Sequence, residues 1–123
     1  LQERLKMRKP KLEAQLVLID PKDILVDAAT YQFRSGGDHA TGVTKKGRYQ
    51  ADRWDPMLHG DPILVHERLD GRVFIADGHH RLDLAKTLNA KQAGPGKMAA
   101  MLLREADGYT PEDVKIIAAY KNI

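Results

Sequence analysis

The chain has no cysteine, one tryptophan and two phenylalanines among its 123 residues. Without cysteine there can be no disulfide, no thiol nucleophile and no thiolate metal site. Hydrophobic residues make up 42% of the sequence, yet no run of them approaches the roughly 20 needed to cross a bilayer as a helix. The basic opening stretch is not followed by the apolar core of a signal peptide. These absences lead us to expect a cytoplasmic protein without a membrane partner. An excess of charge of one sign is also missing, since 20 Lys and Arg stand against 17 Asp and Glu for a net +3. That balance does not announce a nucleic-acid binder.

The distribution of charge says more than its sum. Arg4, Lys6, Arg8, Lys9 and Lys11 crowd the N-terminus, and Lys45, Lys46, Arg48 and Arg53 crowd the middle. Each cluster fits either a phosphate-facing patch or an ordinary solvated surface. Lys45, Lys46 and Arg48 are the candidate nucleic-acid contacts.

At this length the chain reads as one domain, residues 1–123. Residues 1–14 read as a basic N-terminal helix that Pro10 helps to end. "AQLVLID" has the apolar, β-branched character of a strand, which Pro21 stops. "PKDILVDA" holds a further short extended piece or turn. Residues 35–61, opening with "SGGDHATG", form a long glycine-containing loop, of the kind that is commonly functional. "PILVHER" and "RVFIAD" flank "LDG", and Asp70-Gly71 is a strong hairpin signal. "RLDLAKTLNA" suits a helix with Leu84, Ala85 and Leu88 on one face, and "KMAAMLLRE" reads as a strand, although its alanines and methionines also permit a helix. Residues 110–123 read as a C-terminal helix: Thr110 can cap it, Pro111 fits its first turn, and Glu112 and Asp113 suit the positive end of its dipole. The expected class is α+β, a small mixed sheet with a β-hairpin and flanking helices.

The chemistry concentrates in "IADGHHRLDLAK", residues 75–86. A strand that turns through Asp77-Gly78 into a helix aims the positive end of a dipole at any anion. Gly78 lets a ligand approach the backbone closely. Arg81 carries a planar fork of donors matched to phosphate oxygens. His79 and His80 can donate hydrogen bonds, accept a proton or ligate a metal. Neighbouring helix residues point about 100° apart, so the two histidines are poorly placed to chelate one metal together. A metal site would need recruits such as Asp38, His39, His59 or Asp77. The competing structural reading has Asp77 capping the helix, with the histidines filling its surroundings.

The hairpin, "ADGHHRLDLAK", a strand and a final helix together resemble the ParB/sulfiredoxin-like superfamily, the ParB-like nuclease domains. In that family a G-E-R-R box after the second hairpin strand holds nucleotide phosphates. "YQFR" (31–34) resembles its Q-P-R segment, and "AAYKNI" (118–123) resembles the start of its E-N-x-x-R box. "YQFRSGGDHATGVT", "RWDP" and "LREADGYTPEDVKIIAAYKNI" further resemble the DdrB-like ParB domains of large phage and plasmid proteins. The resemblance implies that the chain is part of a longer protein.

Carried over residue by residue, it implies phosphate or nucleotide contacts from Gly78, His79, His80, Arg81, Gln32, Arg34, Lys121 and Asn122. Lys121 stands where the family has a metal-binding glutamate, which leaves any Mg²⁺ requirement open, because an ammonium cannot ligate the ion. The family's sulfiredoxin chemistry needs a cysteine and is excluded. The resulting expectation is a nucleotide-binding module of a DNA-processing protein from a mobile element, with a nucleoside triphosphate as ligand and DNA as partner. Should hydrolysis occur, Asp77 or His79 would be its acid or base. Two other readings are open: a metal-dependent nuclease built on Asp38, His39, Asp77 and His79, and a non-catalytic DNA-binding or assembly module. The sequence leaves the oligomeric state open.

Overall fold

A computed structural model describes residues 14–31 and 52–121. Among them are five strands: β1 Gln15–Ile19, β2 Ile24–Leu25, β3 Ile63–Glu67, β4 Val73–Asp77 and β5 Met98–Arg104. The described helices are α1 Ala28–Tyr31, α2 Pro56–His59, α3 His79–Ala90 and α4 Pro111–Lys121. The class is α+β, as the sequence predicts.

The hairpin between β3 and β4 forms where Asp70-Gly71 stands. Gly71 takes φ +86°, a conformation that costs glycine little. Arg68 N–H bonds the Arg72 carbonyl at 2.8 Å, and Gly71 N–H bonds the Arg68 carbonyl at 2.9 Å. The Asp70 carboxylate accepts from the backbone N–H and the Nε of Arg72, fastening the turn from outside. β3 and β4 are antiparallel, with a register shift between Leu64 and Val65.

The sheet runs β1–β5–β3–β4–β2. β5 lies parallel to β3 and antiparallel to β1, and β2 lies parallel to β4. The last strand in sequence therefore sits inside the sheet. Two apolar clusters cover its two faces. Ile63, Val65, Ile75, Met98 and Ala100 meet Leu82 and Ala85 of α3 on one. Leu64, Phe74, Ala76 and Leu103 meet Tyr31, Val114 and Ala118 on the other. Leu84, Ala85 and Leu88 are all buried, as the helical spacing predicts. Ile117 packs against the second cluster beside Val114 and Ala118.

The start of α4 is a reciprocal cap. Asp113 N–H donates to the Thr110 hydroxyl, and Thr110 N–H donates to the Asp113 carboxylate, both at 3.1 Å. The helix expected over 110–123 runs Pro111–Lys121, with Thr110 as the cap in front of it. The loop expected over 35–61 needs a correction at its far end. Residues 56–59 form α2, because the Asp55 carboxylate caps Met57 N–H at 2.9 Å and Pro56 fits the first turn. Trp54 is half-buried against the first cluster and its ring lies 5.3 Å from that of His59. The expected helix 1–14 lies outside the described residues, except that its last residue, Ala14, is not helical.

His59 and His66 are both buried. His66 is on β3, which has a neighbouring strand on each side and a cluster on each face. The first four positions of that strand, Ile63 to His66, are all buried.

Candidate functional site

α3 begins directly where β4 ends. Gly78 is its N-cap at φ +105°, in the left-handed region. A Cβ there would lie 2.5 Å from Ile63 Cγ2, so the neighbouring strand excludes any larger residue. The same point is 3.3 Å from Arg81 Nη2. Arg81 therefore curls back over the start of its own helix. Its Nη1 also donates to the Asp61 carbonyl, which ties the guanidinium to the segment leading into β3. Nothing in the sequence marked Asp61, since any residue can supply a backbone carbonyl.

His80 and Arg81 are half-buried at this helix start, and Asp77 is half-buried at the end of β4, opposite Leu64. His79 is only 5% exposed, so its ring belongs to the interior rather than to the helix mouth. The structure thus brings together Asp77, Gly78, His79, His80 and Arg81, as their adjacency requires. Lys121 is exposed on the last turn of α4, which packs on the opposite face of the sheet from α3.

Gln32, Arg34, Asn122, the metal candidates Asp38 and His39, and the nucleic-acid candidates Lys45, Lys46 and Arg48 lie outside the described residues. Among the described residues no group of three or more His, Cys, Asp and Glu is placed to hold a metal ion. No described helix is long and apolar enough to cross a membrane.

No family model matches the chain. No curated protein and no solved structure matches it either.

Two polar features escaped the sequence. Lys86, on α3, donates from Nζ to the Ile24 carbonyl at 2.9 Å, and burial pushes its ammonium below the ordinary lysine range. It ties α3 to β2. The second is a line of hydrogen bonds through the core beneath α4. His66 Nε2 lies 2.7 Å from the Tyr109 carbonyl, which can only accept, so Nε2 carries the proton. Burial lowers the His66 pKa and keeps the ring neutral. Nδ1 is then the acceptor, and the Tyr31 hydroxyl donates to it at 2.7 Å. The charge of Arg68 acts on Tyr31 electrostatically, and burial, the larger effect, raises the pKa of Tyr31. Glu105 anchors Arg68 at 3.0 Å and accepts Leu69 N–H at 3.1 Å. No local motif signals this line, because its members come from α1, β3, the hairpin and the segment after β5.

Proposed function

We propose that the Gly78–Arg81 turn is a phosphate-binding site and that the chain is a nucleotide-binding module of a DNA-processing protein. The observation that carries this reading is the placement of Arg81. A left-handed glycine starts a 12-residue helix, and the guanidinium folds back over that start instead of extending along the helix. A fixed cation beside the positive end of a helix dipole is a poor environment for another cation and a favourable one for an anion. A guanidinium can meet phosphate oxygens with two parallel donors.

The likeness to ParB/sulfiredoxin-like domains supports the same reading through its own order of parts: hairpin, glycine turn, short helix, strand, final helix. In that reading His80 joins Arg81 at the phosphates, and the resemblance adds Lys121 and Asn122 as further phosphate contacts. Lys121 would meet phosphate directly, so binding should depend weakly on Mg²⁺. His79, being buried, supports the turn, which leaves Asp77 as the better placed of the two acid–base candidates.

Calorimetric titration with ATP, ADP, CTP and GTP, with and without Mg²⁺, tests the proposal. Arg81→Ala should weaken binding by at least about tenfold, the order expected for a lost charge-assisted hydrogen bond. Because Arg81 also holds the Asp61 carbonyl, the variant's fold must be checked by circular dichroism. Absence of binding to every nucleotide by the folded protein would overturn the reading. Salt-sensitive DNA binding indifferent to nucleotide would then favour the non-catalytic module.

A further inference from the structure

Among the described residues β1 is an outer strand of the sheet, with β5 as its ladder partner. An outer strand presents a row of N–H and C=O groups that can template another strand. Proteins usually blunt such edges with charge, proline or a bulge. Gln15–Ile19 carries none of these. Its sequence is Gln-Leu-Val-Leu-Ile, and its register with β5 runs without a break from Gln15↔Leu102 to Ile19↔Met98.

Leu16 and Leu18 alternate onto one face of the strand and are 66% and 71% exposed. Their register partners on β5 are Met101 and Ala99. α4 packs on β3, β4 and α1, so the apolar row at the outer part of this face lies beyond its cover.

The order of side chains in β1 indicates what would pair with it. Read outward from Val17, the strand meets leucine in both directions. A two-fold axis through Val17 therefore sets Leu16 opposite Leu18 of the second copy and Val17 opposite its own counterpart. Each sheet would then continue the other's apolar row. A foreign strand would have to supply matching apolar residues at this spacing, whereas a second copy supplies them by symmetry.

We propose that β1 is a homodimerisation edge. Two copies of the chain join antiparallel along Gln15–Ile19, in the register centred on Val17, to give one continuous sheet. A single short strand pair is small beside the ~1,200–2,000 Å² of a standard interface, so the dimer forms reversibly with concentration.

Sedimentation velocity on the full chain, from low micromolar to near-millimolar concentration, should show the mass rising from monomer toward dimer. The double substitution Leu16→Lys with Leu18→Lys should abolish that rise, since like charges would meet across the axis. Both positions are exposed, and unchanged circular dichroism would show that the fold is kept.

The absence of cysteine allows a second test. Val17→Cys places two thiols directly opposite each other, at the ~4.5–5.5 Å Cα spacing of antiparallel pairs, and mild oxidation should yield a covalent dimer. Leu16→Cys sets its two thiols two residues out of register, about 7 Å further along the strand, and should crosslink poorly. A wild-type protein that stays monomeric throughout would overturn the proposal. So would a dimer that survives the double lysine substitution, or crosslinking through Leu16→Cys as fast as through Val17→Cys.

Discussion

The hydroxyl of Tyr31 donates to Nδ1 of His66 across 2.7 Å, and the Tyr109 carbonyl on the far side of the ring fixes that direction. Both side chains are fully buried. Removing either end strands a polar atom without access to water, and that loss costs more than a typical hydrogen bond is worth. Tyr31→Phe leaves His66 Nδ1 without a donor and should lower stability by about 1–3 kcal/mol. Urea unfolding of Tyr31→Phe, His66→Phe and the double variant checks this. The double variant should lose less than the sum of the singles, and strict additivity would show that the two groups are not coupled.

The same pair makes stability depend on pH. The folded-state pKa of His66 lies below its ordinary 6.5 because burial disfavours the charged ring. Above pH 6.5 the ring is neutral in both states and has no effect. As pH falls through 6.5 the unfolded chain takes up a proton first, so stability falls until the folded-state value is passed. Denaturation midpoints should decline from pH 7 to 5.5, and a folded His66→Gln variant should show a flatter profile over that window. Equal slopes would assign the decline to another group.

Gly78 answers to two constraints at once. Alanine would have to adopt φ +105° and would place its Cβ 2.5 Å from Ile63 Cγ2. Gly78→Ala should destabilise the fold by about 1–3 kcal/mol. Adding Ile63→Val removes only Cδ1 and leaves both Cγ2 and the backbone conformation in place, so it should not restore stability. Thermal melting of the three variants decides this, and a neutral Gly78→Ala would show that the turn tolerates a side chain.

The two ion pairs that cross from β3 to β5 and its following turn should differ in weight. Arg104 Nε meets Glu67 at 2.8 Å and Arg68 Nε meets Glu105 at 3.0 Å. Glu105 also accepts Leu69 N–H, and its partner Arg68 acts electrostatically on the buried Tyr31. Glu105→Gln should therefore lower the melting temperature more than Glu67→Gln, whose loss is that of an ordinary surface pair. Equal shifts would mean that Arg68 does not transmit support to the core.

The cap of α4 gives a further comparison. Thr110→Ala removes the hydroxyl that accepts Asp113 N–H and should cost about 1 kcal/mol. Thr110→Ser keeps that acceptor and should cost less, as read by chemical denaturation. Equal losses would make the methyl group, and not the hydroxyl, the stabilising part.

Local chemistry made much of this protein legible before any coordinates. Asp70-Gly71 specified a tight turn because glycine accepts positive φ there. Thr110, Pro111 and Asp113 specified a helix start because each satisfies or removes an amide at that end. The period of Leu84, Ala85 and Leu88 gave the buried face of α3, and the Asp77–Arg81 run was visible as a strand-to-helix turn because its parts are adjacent. The sheet order was not legible in this way. β5 enters between β1 and β3 because Met98, Ala100 and Leu103 find apolar cover there, and no residue near it in sequence records those partners. His66 looked like any polar residue on a strand, and only the central place of β3 buried it. Its bonds to Tyr31 and Tyr109 join residues 35 and 43 positions away in the chain. Arg81 announced its charge in the sequence, but its direction was set by the Asp61 carbonyl, which the fold alone brings within reach.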